Sequence, residues 1–418
     1  MKVAMISNYN ESCGVASYAG ALVKGLRQHG GVQLDVIPID TGLARSQLRH
    51  LRAAKKRHFR EIAEKAAAYD AVNVQFENGL FGNSDREVLR HLRFILERCR
   101  NVSITMHTAD FGYLNPGRRG LSWFVIFMLR RQFYLAREAL GGITRPFMHK
   151  LMPLLRKYNP ALIVHTKREQ RIFQKFYGIE NVHVHPLAFL DAPTRDGVRN
   201  AVDDDAFRDR YSLDPADRVF ALYGFISEYK GHMTALHALR HLPDNYKLIV
   251  VGGQHPGSVM RHEQVNLYIQ QLLDTMEGFR ATGEGKSLTI THDEANIIAD
   301  RVRFAGMVDD DELLRVMAHA DVNVFPYVET GQSGSGPASL ALEVGSRCLM
   351  SRAFVFNELA SFAPGDFDRF DIGNYLELAQ KIRAMVEVPL RRDNAFNRQF
   401  SLESNVRFHI DLMRRGAK

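Results

Sequence analysis

Short apolar runs alternate along the chain with longer amphipathic stretches. KVAMIS (2–7) reads as a buried strand, and Gly14 to Leu26 as the helix after it. VQLDVIPI, YDAVNVQF, NVSITMH, PALIVHT and NVHVHP are the next strands in the same pattern. Between the first two of these, Leu48, Leu51, Phe59 and Ile62 fall roughly on one face of a long basic helix. A turn-rich stretch, Leu190 to Pro215, then breaks the rhythm with Asp, Arg and Pro. Afterwards the alternation resumes: VFALYGF, a helix from Lys230, YKLIVVGG, RVRFAGMV, the helix DDDELLRVMAHA, DVNVFPY, a glycine- and serine-rich loop with its helix, and RCLMS. Two such blocks predict an α/β protein with two parallel, doubly wound Rossmann-like sheets. The expected division is a first domain over 1–192, a linker over 193–215 and a second domain over 216–395. A C-terminal helix over about 396–418 is expected to pack back on the first domain.

At 418 residues, 45% hydrophobic and 24% charged, the chain is long enough for two full cores. No run of eighteen uncharged apolar residues occurs, so a membrane span is not expected. The opening MKVAMISNYN lacks a basic n-region and an h-region, so a secretory leader is not expected either. Cys13, Cys99 and Cys348 lie far apart with no CxxC pair, which points to a reducing, cytoplasmic setting without disulfides or zinc. The net charge of +8 sits in the N-terminal half: residues 41–70 carry net +5 and residues 115–157 net +8. No nucleic-acid motif accompanies that charge, so the expected partner is an anionic membrane surface rather than nucleic acid. SWFVIFMLRRQF (Ser122 to Phe133) is either core or a membrane-dipping helix beside that surface.

Ligands of open α/β sheets bind at the carboxyl ends of strands, here expected in a cleft between the two domains. Four places qualify. Gly14, with Val15, opens the first helix, where backbone can approach a substrate; a tight turn is the plain alternative. His107 ends an apolar strand, either as a structural imidazole or as a polar group at the site. Ser227 and Lys230 follow a strand and open a helix, where a cation and helix amides together suit phosphate. Finally, Gly331, Gln332, Ser333, Gly334, Ser335 and Gly336 lie directly before a helix and present backbone N–H groups as an anion nest. No GK[ST] closes this loop, so it is not a P-loop. The acidic triplet Asp309–Asp311 is expected to cap its helix rather than hold a metal.

These residues resemble a known family. GFISEYKG, KLIVVGG, RVRFAGMVDDDELLRVMAHADVNVFPY and GQSGSGPASLALEVGSRCLMS occur in the order and spacing of the GT-B-fold retaining glycosyltransferases of family four (glycosyl transferases group 1). CGVASY, VQFENGLFG, ITMH and ALIVHT extend the match more loosely through the first half. The resemblance implies two facing Rossmann-like domains with a nucleotide-sugar donor in the cleft. Lys230 would hold the diphosphate and the backbone of Ser335 and Gly336 would cap its other side. His107 would touch the transferred sugar, and Gly14 would lie against phosphates or acceptor. The segment Arg303 to Val308, with Gly306, would seat the base. Family members often carry two glutamates separated by seven residues; counting back from Gly345 puts these places at Gln332 and Leu340. Glu343, one turn further, is the expected substitute for the second, and Phe225 stands where an arginine is often found.

The resulting expectation is a cytoplasmic, membrane-associated, metal-independent retaining hexosyltransferase that needs no cofactor beyond a UDP- or GDP-linked donor. Its acceptor would be a cell-envelope glycan or a lipid-linked sugar, in polysaccharide biosynthesis. A nucleotide-sugar epimerase of the same fold and a catalytically silent nucleotide-binding subunit are the alternatives.

Overall fold

The computed structural model describes residues 1–9, 11, 13–29, 31–109, 147–201, 204–254, 266–282, 289–329 and 333–416. The chain forms two compact units, Met1–His185 with Arg407–Lys418, and Pro186–Val406.

The first unit holds strands β1 (Lys2–Ser7), β2 (Gln33–Pro38), β3 (Ala71–Phe76), β4 (Val102–Met106), β5 (Ala161–Val164) and β6 (Val182–Val184). They lie in the order β2-β1-β3-β4-β5-β6, all parallel, with Val3 opposite Ala71 and Val74 opposite Ile104. A parallel sheet is covered on both faces, which explains strands that read as continuous apolar runs. Ile6, Val74, Ile104 and Leu162 are fully buried in its core. Phe59 and Ile62 of helix Arg52–Ala66, and Leu92 and Ile95 of helix Asp85–Arg98, pack onto the same core.

The second unit holds β7 (Arg218–Tyr223), β8 (Tyr246–Val251), β9 (Phe279–Thr282), β10 (Thr289–His292), β11 (Val302–Gly306), β12 (Val322–Phe325), β13 (Cys348–Ser351) and β14 (Asp368–Phe370). Its main sheet runs β11-β8-β7-β12-β13-β14, again all parallel. Counted within the unit this is the 3-2-1-4-5-6 Rossmann order, whose switch point falls between β7 and β12. β9 and β10 form a separate antiparallel hairpin inserted between β8 and β11.

Several expectations need correction. The segment 193–215 is not a bare linker: it carries helices Ala192–Asn200 and Asp204–Tyr211, and the division between units falls at His185/Pro186. The Asp and Pro read as turn signals start a helix instead, with Asp191 accepting from the Thr194 N–H and Pro193 in the first turn. Leu48 does not share the buried face of Phe59 and Ile62; it precedes the helix and is 55% exposed. The strand in RVRFAGMV stops at Gly306, whose φ of +69° turns the chain away. The C-terminal segment forms helices Ala395–Gln399 and Leu402–Gly416, and from Arg407 onward it belongs with the first unit.

Candidate functional site

At the switch point of the second unit, β7 ends at Tyr223 and the chain turns through Gly224 to a single 3-10 turn, Glu228–Lys230. The Ser227 carbonyl accepts the Lys230 N–H at 3.1 Å, and the Ser227 hydroxyl donates to the Phe225 carbonyl at 3.3 Å. Gly231 then takes φ +73° and starts helix His232–Arg240. A Cβ on Gly231 would stand 1.9 Å from the Pro326 carbonyl oxygen, so only glycine lets this turn press against the end of β12. That contact pins Lys230 between β7 and β12.

The Lys230 side chain is 7% exposed. Its ammonium donates to the Tyr327 hydroxyl at 2.5 Å and lies 3.9 Å from the centroid of the same ring. Burial lowers its pKa from the ordinary lysine value. Among the described residues no carboxylate lies within ion-pairing distance of it. The Tyr327 hydroxyl also meets the Ser335 Oγ at 2.9 Å, and Ser335 caps the helix Gly336–Val344 by accepting the Ala338 N–H at 3.4 Å. A buried cation, a tyrosine and a helix N-terminus are thus joined by hydrogen bonds. Ser333 is buried and Gly334 partly so in the same loop, while Gly331 and Gln332 lie outside the described residues. Gly336 has a second reason to be small, because a Cβ there would come 3.3 Å from the Phe189 ring.

Glu343 does not take the role expected of it. It is 1% exposed, and its carboxylate accepts the Phe189 and Leu190 N–H groups at 3.0 Å. Burial pushes its pKa up to about 8 against the opposing pull of those amides. It therefore ties the helix Gly336–Val344 to the segment entering the unit. Gly306 ends β11 beside Gly252, whose N–H it accepts at 2.8 Å. A Cβ on Gly252 (φ +135°) would lie 2.1 Å from the Gly224 carbonyl oxygen, so the carboxyl ends of β7, β8 and β11 meet through glycines.

The first unit presents a different set. Gly14 opens helix Gly14–His29, is exposed, and has open space where a Cβ would stand. Val15 packs against the apolar core. His107 follows β4 directly, with its N–H bonded to the Phe76 carbonyl at 3.0 Å. Its Nε2 lies 2.7 Å from the Gln75 Oε1. The Tyr18 ring meets it edge-on at 5.4 Å, and the His165 ring lies at the same distance. Burial, then the neighbouring His165, holds the His107 pKa well below the usual histidine value, so the imidazole is neutral. Next to it, Thr108 donates to Glu77 at 2.8 Å, and burial raises the Glu77 pKa.

Of the basic surface, Lys55 is buried and paired with Glu87 at 3.6 Å, whereas Arg49, Arg52 and Arg57 are exposed. Residues 115–146, with Ser122 to Phe133, lie outside the described residues. Among the described residues no helix is long and apolar enough to cross a membrane. Asp309 caps helix Asp310–His319 by accepting from the Glu312 N–H, as its position predicted. Cys13, Cys99 and Cys348 are free thiols.

Sequence reasoning missed Tyr327 and Gln75. The signal for Gln75 was a polar residue inside the apolar strand YDAVNVQF, where an unpartnered amide would be costly. Tyr327, directly after Pro326, gave no comparable signal.

No family model and no curated protein matches the chain. Solved structures do. The structure of Anabaena HepE in complex with UDP and glucose is 16% identical with a TM-score of 0.63, over 98% of both chains. A UDP-forming trehalose-phosphate synthase from Burkholderia xenovorans is 13% identical with a TM-score of 0.62, over 100% of this chain and 99% of that one. WaaG, a glycosyltransferase involved in lipopolysaccharide biosynthesis, is 15% identical with a TM-score of 0.57, over 99% of both. These likenesses extend over essentially the whole chain and identify its two-sheet architecture as the GT-B fold.

Proposed function

We propose, from this GT-B fold and the buried cation at the switch point of the second unit, that the protein is a glycosyltransferase using a nucleotide-sugar donor. The observation that carries the reading is Lys230. A lysine ammonium held out of water beside a helix N-terminus, without a carboxylate partner among the described residues, is an arrangement that an anion completes. A diphosphate suits it because negative charge builds there as the sugar–phosphate bond breaks, and preorganised donors stabilise that charge. That HepE is solved with UDP, and with UDP-glucose, supports a nucleoside diphosphate as the anion.

In this reading Lys230 and the first turn of helix Gly336–Val344 take the departing diphosphate, and no metal is needed for the charge. A neutral His107 lies at the transferred sugar. We further propose retention of configuration. The acceptor hydroxyl attacks from the face the diphosphate leaves, and a phosphate oxygen takes its proton. Gln332, an amide, cannot act as a carboxylate nucleophile and would reach a sugar hydroxyl instead. The acceptor is a cell-envelope glycan or lipid-linked sugar, brought to an anionic membrane surface by the exposed arginines of residues 41–70.

A silent nucleotide-binding subunit is the second reading. It is favoured by Leu340, an apolar side chain at a place often acidic in the resembled family, and by a Glu343 carboxylate already engaged with backbone amides. A panel of nucleotides and nucleotide-sugars in thermal unfolding, followed by NMR of the product, separates the readings. The transferase is stabilised by its donor and releases nucleoside diphosphate with a retained anomeric centre. Stabilisation without release supports the silent subunit, and no stabilisation by any nucleotide sinks both.

A further inference from the structure

Strands β3 and β4 carry polar side chains into the core of the first unit, where apolar residues would serve packing better. Asn73, Gln75 and Thr105 are fully buried, and Ser103 nearly so. Their hydrogen bonds can be traced in one direction. Ser103 Oγ reaches the Val72 carbonyl at 3.5 Å, which uses its only proton. That leaves its lone pairs to accept from Asn73 Nδ2, which lies 3.0 Å away and also donates to Thr105 Oγ1 at 3.3 Å. This turns Asn73 Oδ1 toward Gln75 Nε2, at 2.6 Å. Gln75 Oε1 is thereby left facing His107 Nε2 at 2.7 Å. An amide oxygen only accepts, so that imidazole nitrogen must carry the proton.

We propose that Gln75, oriented by Asn73 and the hydroxyls of Ser103 and Thr105, is a positioning residue that fixes His107 as the Nε2–H tautomer. Nδ1, which makes no hydrogen bond among the described residues, is then a lone-pair acceptor at the carboxyl end of β4. Its ligand is a donor hydroxyl, and in the glycosyl-transfer reading, on which this role rests, a hydroxyl of the transferred sugar. The other ring facing His107, that of His165, is held the opposite way: its Nδ1 donates to the His185 carbonyl at 2.9 Å. Tyr18 closes the remaining described side, edge-on to both rings. Two adjacent histidines thus have opposite tautomers set by opposite partners, and neither is arranged to hold a second proton.

The test is nitrogen-15 NMR of the ring-labelled full chain, with the His107 signals assigned by their loss in His107→Gln. A protonated-type Nε2 and an unprotonated-type Nδ1 at His107, reversed at His165, is the expected result. The reverse tautomer at His107, or a mixture, overturns the proposal whatever the chain catalyses. In Gln75→Glu a carboxylate faces Nε2–H, so the His107 pKa must rise and the acid limb of turnover must move to higher pH; an unmoved pKa overturns the proposal. In Gln75→Met, chosen in case a buried glutamate impairs folding, kcat falls about three- to tenfold, the worth of one neutral hydrogen bond, with donor KM little changed. Equal turnover in Gln75→Met removes the role. If the wild-type chain transfers no sugar while the tautomers stand as stated, the transfer reading fails and the role falls with it.

Discussion

The two sheets end in polar groups of opposite character. Behind His107 the first sheet builds a chain of neutral hydrogen bonds that runs back through Gln75, Asn73, Ser103 and Thr105, so every step is satisfied within the unit. Around Lys230 the second sheet builds less: a tyrosine hydroxyl, a ring face and a helix N-terminus surround a charge that has no counter-charge among the described residues. The first arrangement is satisfied among the described residues up to the Nδ1 of His107, and in the proposed reading it aims that one group. The second leaves a charge to be matched, and in the proposed reading it binds an anion. The cost of the second falls on stability, since a buried charge lacking its partner is expensive.

The sharpest way to break this comparison is at Lys230. Lys230→Met should leave the ligand-free protein as stable as the wild type or more so, while nucleoside diphosphate affinity falls at least tenfold. A charge-assisted contact is worth about 1.5–3 kcal/mol. Calorimetric titration and thermal unfolding of the same variant check both halves, and unchanged affinity would remove Lys230 from the site. A second test concerns the anchor of the loop helix. Glu343→Ala removes the carboxylate that accepts the Phe189 and Leu190 N–H groups, the latter buried, and should cost about 1–3 kcal/mol in denaturant unfolding. Glu343→Gln, which keeps one acceptor oxygen, should cost less.

Acid should act on both units: burial lowers the pKa of His232 in the second to about 4, and the first carries two such histidines in His165 and His409. Burial lowers the His165 pKa to about 4 and the His409 pKa to about 3, against an ordinary 6.5. Between 6.5 and those values the unfolded chain binds protons that the folded chain refuses. Stability is therefore full above pH 6.5 and is lost as pH falls toward 4. Protection of the β5 amides against hydrogen exchange, corrected for the intrinsic slowing of exchange in acid, should fall from pH 7 to pH 4, and less so in His409→Leu. The smallest effect is expected at Tyr327→Phe, which removes the hydroxyl that bridges Lys230 and Ser335 but keeps the ring. Nucleotide affinity should drop by about 0.5–1.5 kcal/mol, and an unchanged value would show that Tyr327 acts through its ring face alone.

Most strands were legible because a parallel sheet buried on both faces writes itself as uninterrupted apolar runs such as LIVV and VFAL. The candidate site was legible where backbone chemistry marks it, at Lys230–Gly231 and at Ser335 before Pro337, which the structure joins through Tyr327. It was illegible where a role depends on a contact distant in sequence. Glu343 looked like a ligand-facing acid from its helix position, but its partners Phe189 and Leu190 lie across 154 and 153 residues of chain. The helices after Asp191 were hidden by Asp, Arg and Pro, residues that suit a helix start as well as a turn.

The last helix gives the protein an order of assembly. The second unit is one uninterrupted stretch of chain, but the first is built from both ends. His409 is fully buried there, and Met413 accepts the Asn101 side-chain N–H at 2.6 Å. During synthesis, therefore, residues 1–185 wait with part of their core missing while the whole second unit emerges and can fold. The carboxyl end of β6, where the His185 ring meets that of Phe408, is finished last, and a chain cut short before Arg407 lacks that contact, the buried His409 and the Asn101–Met413 bond.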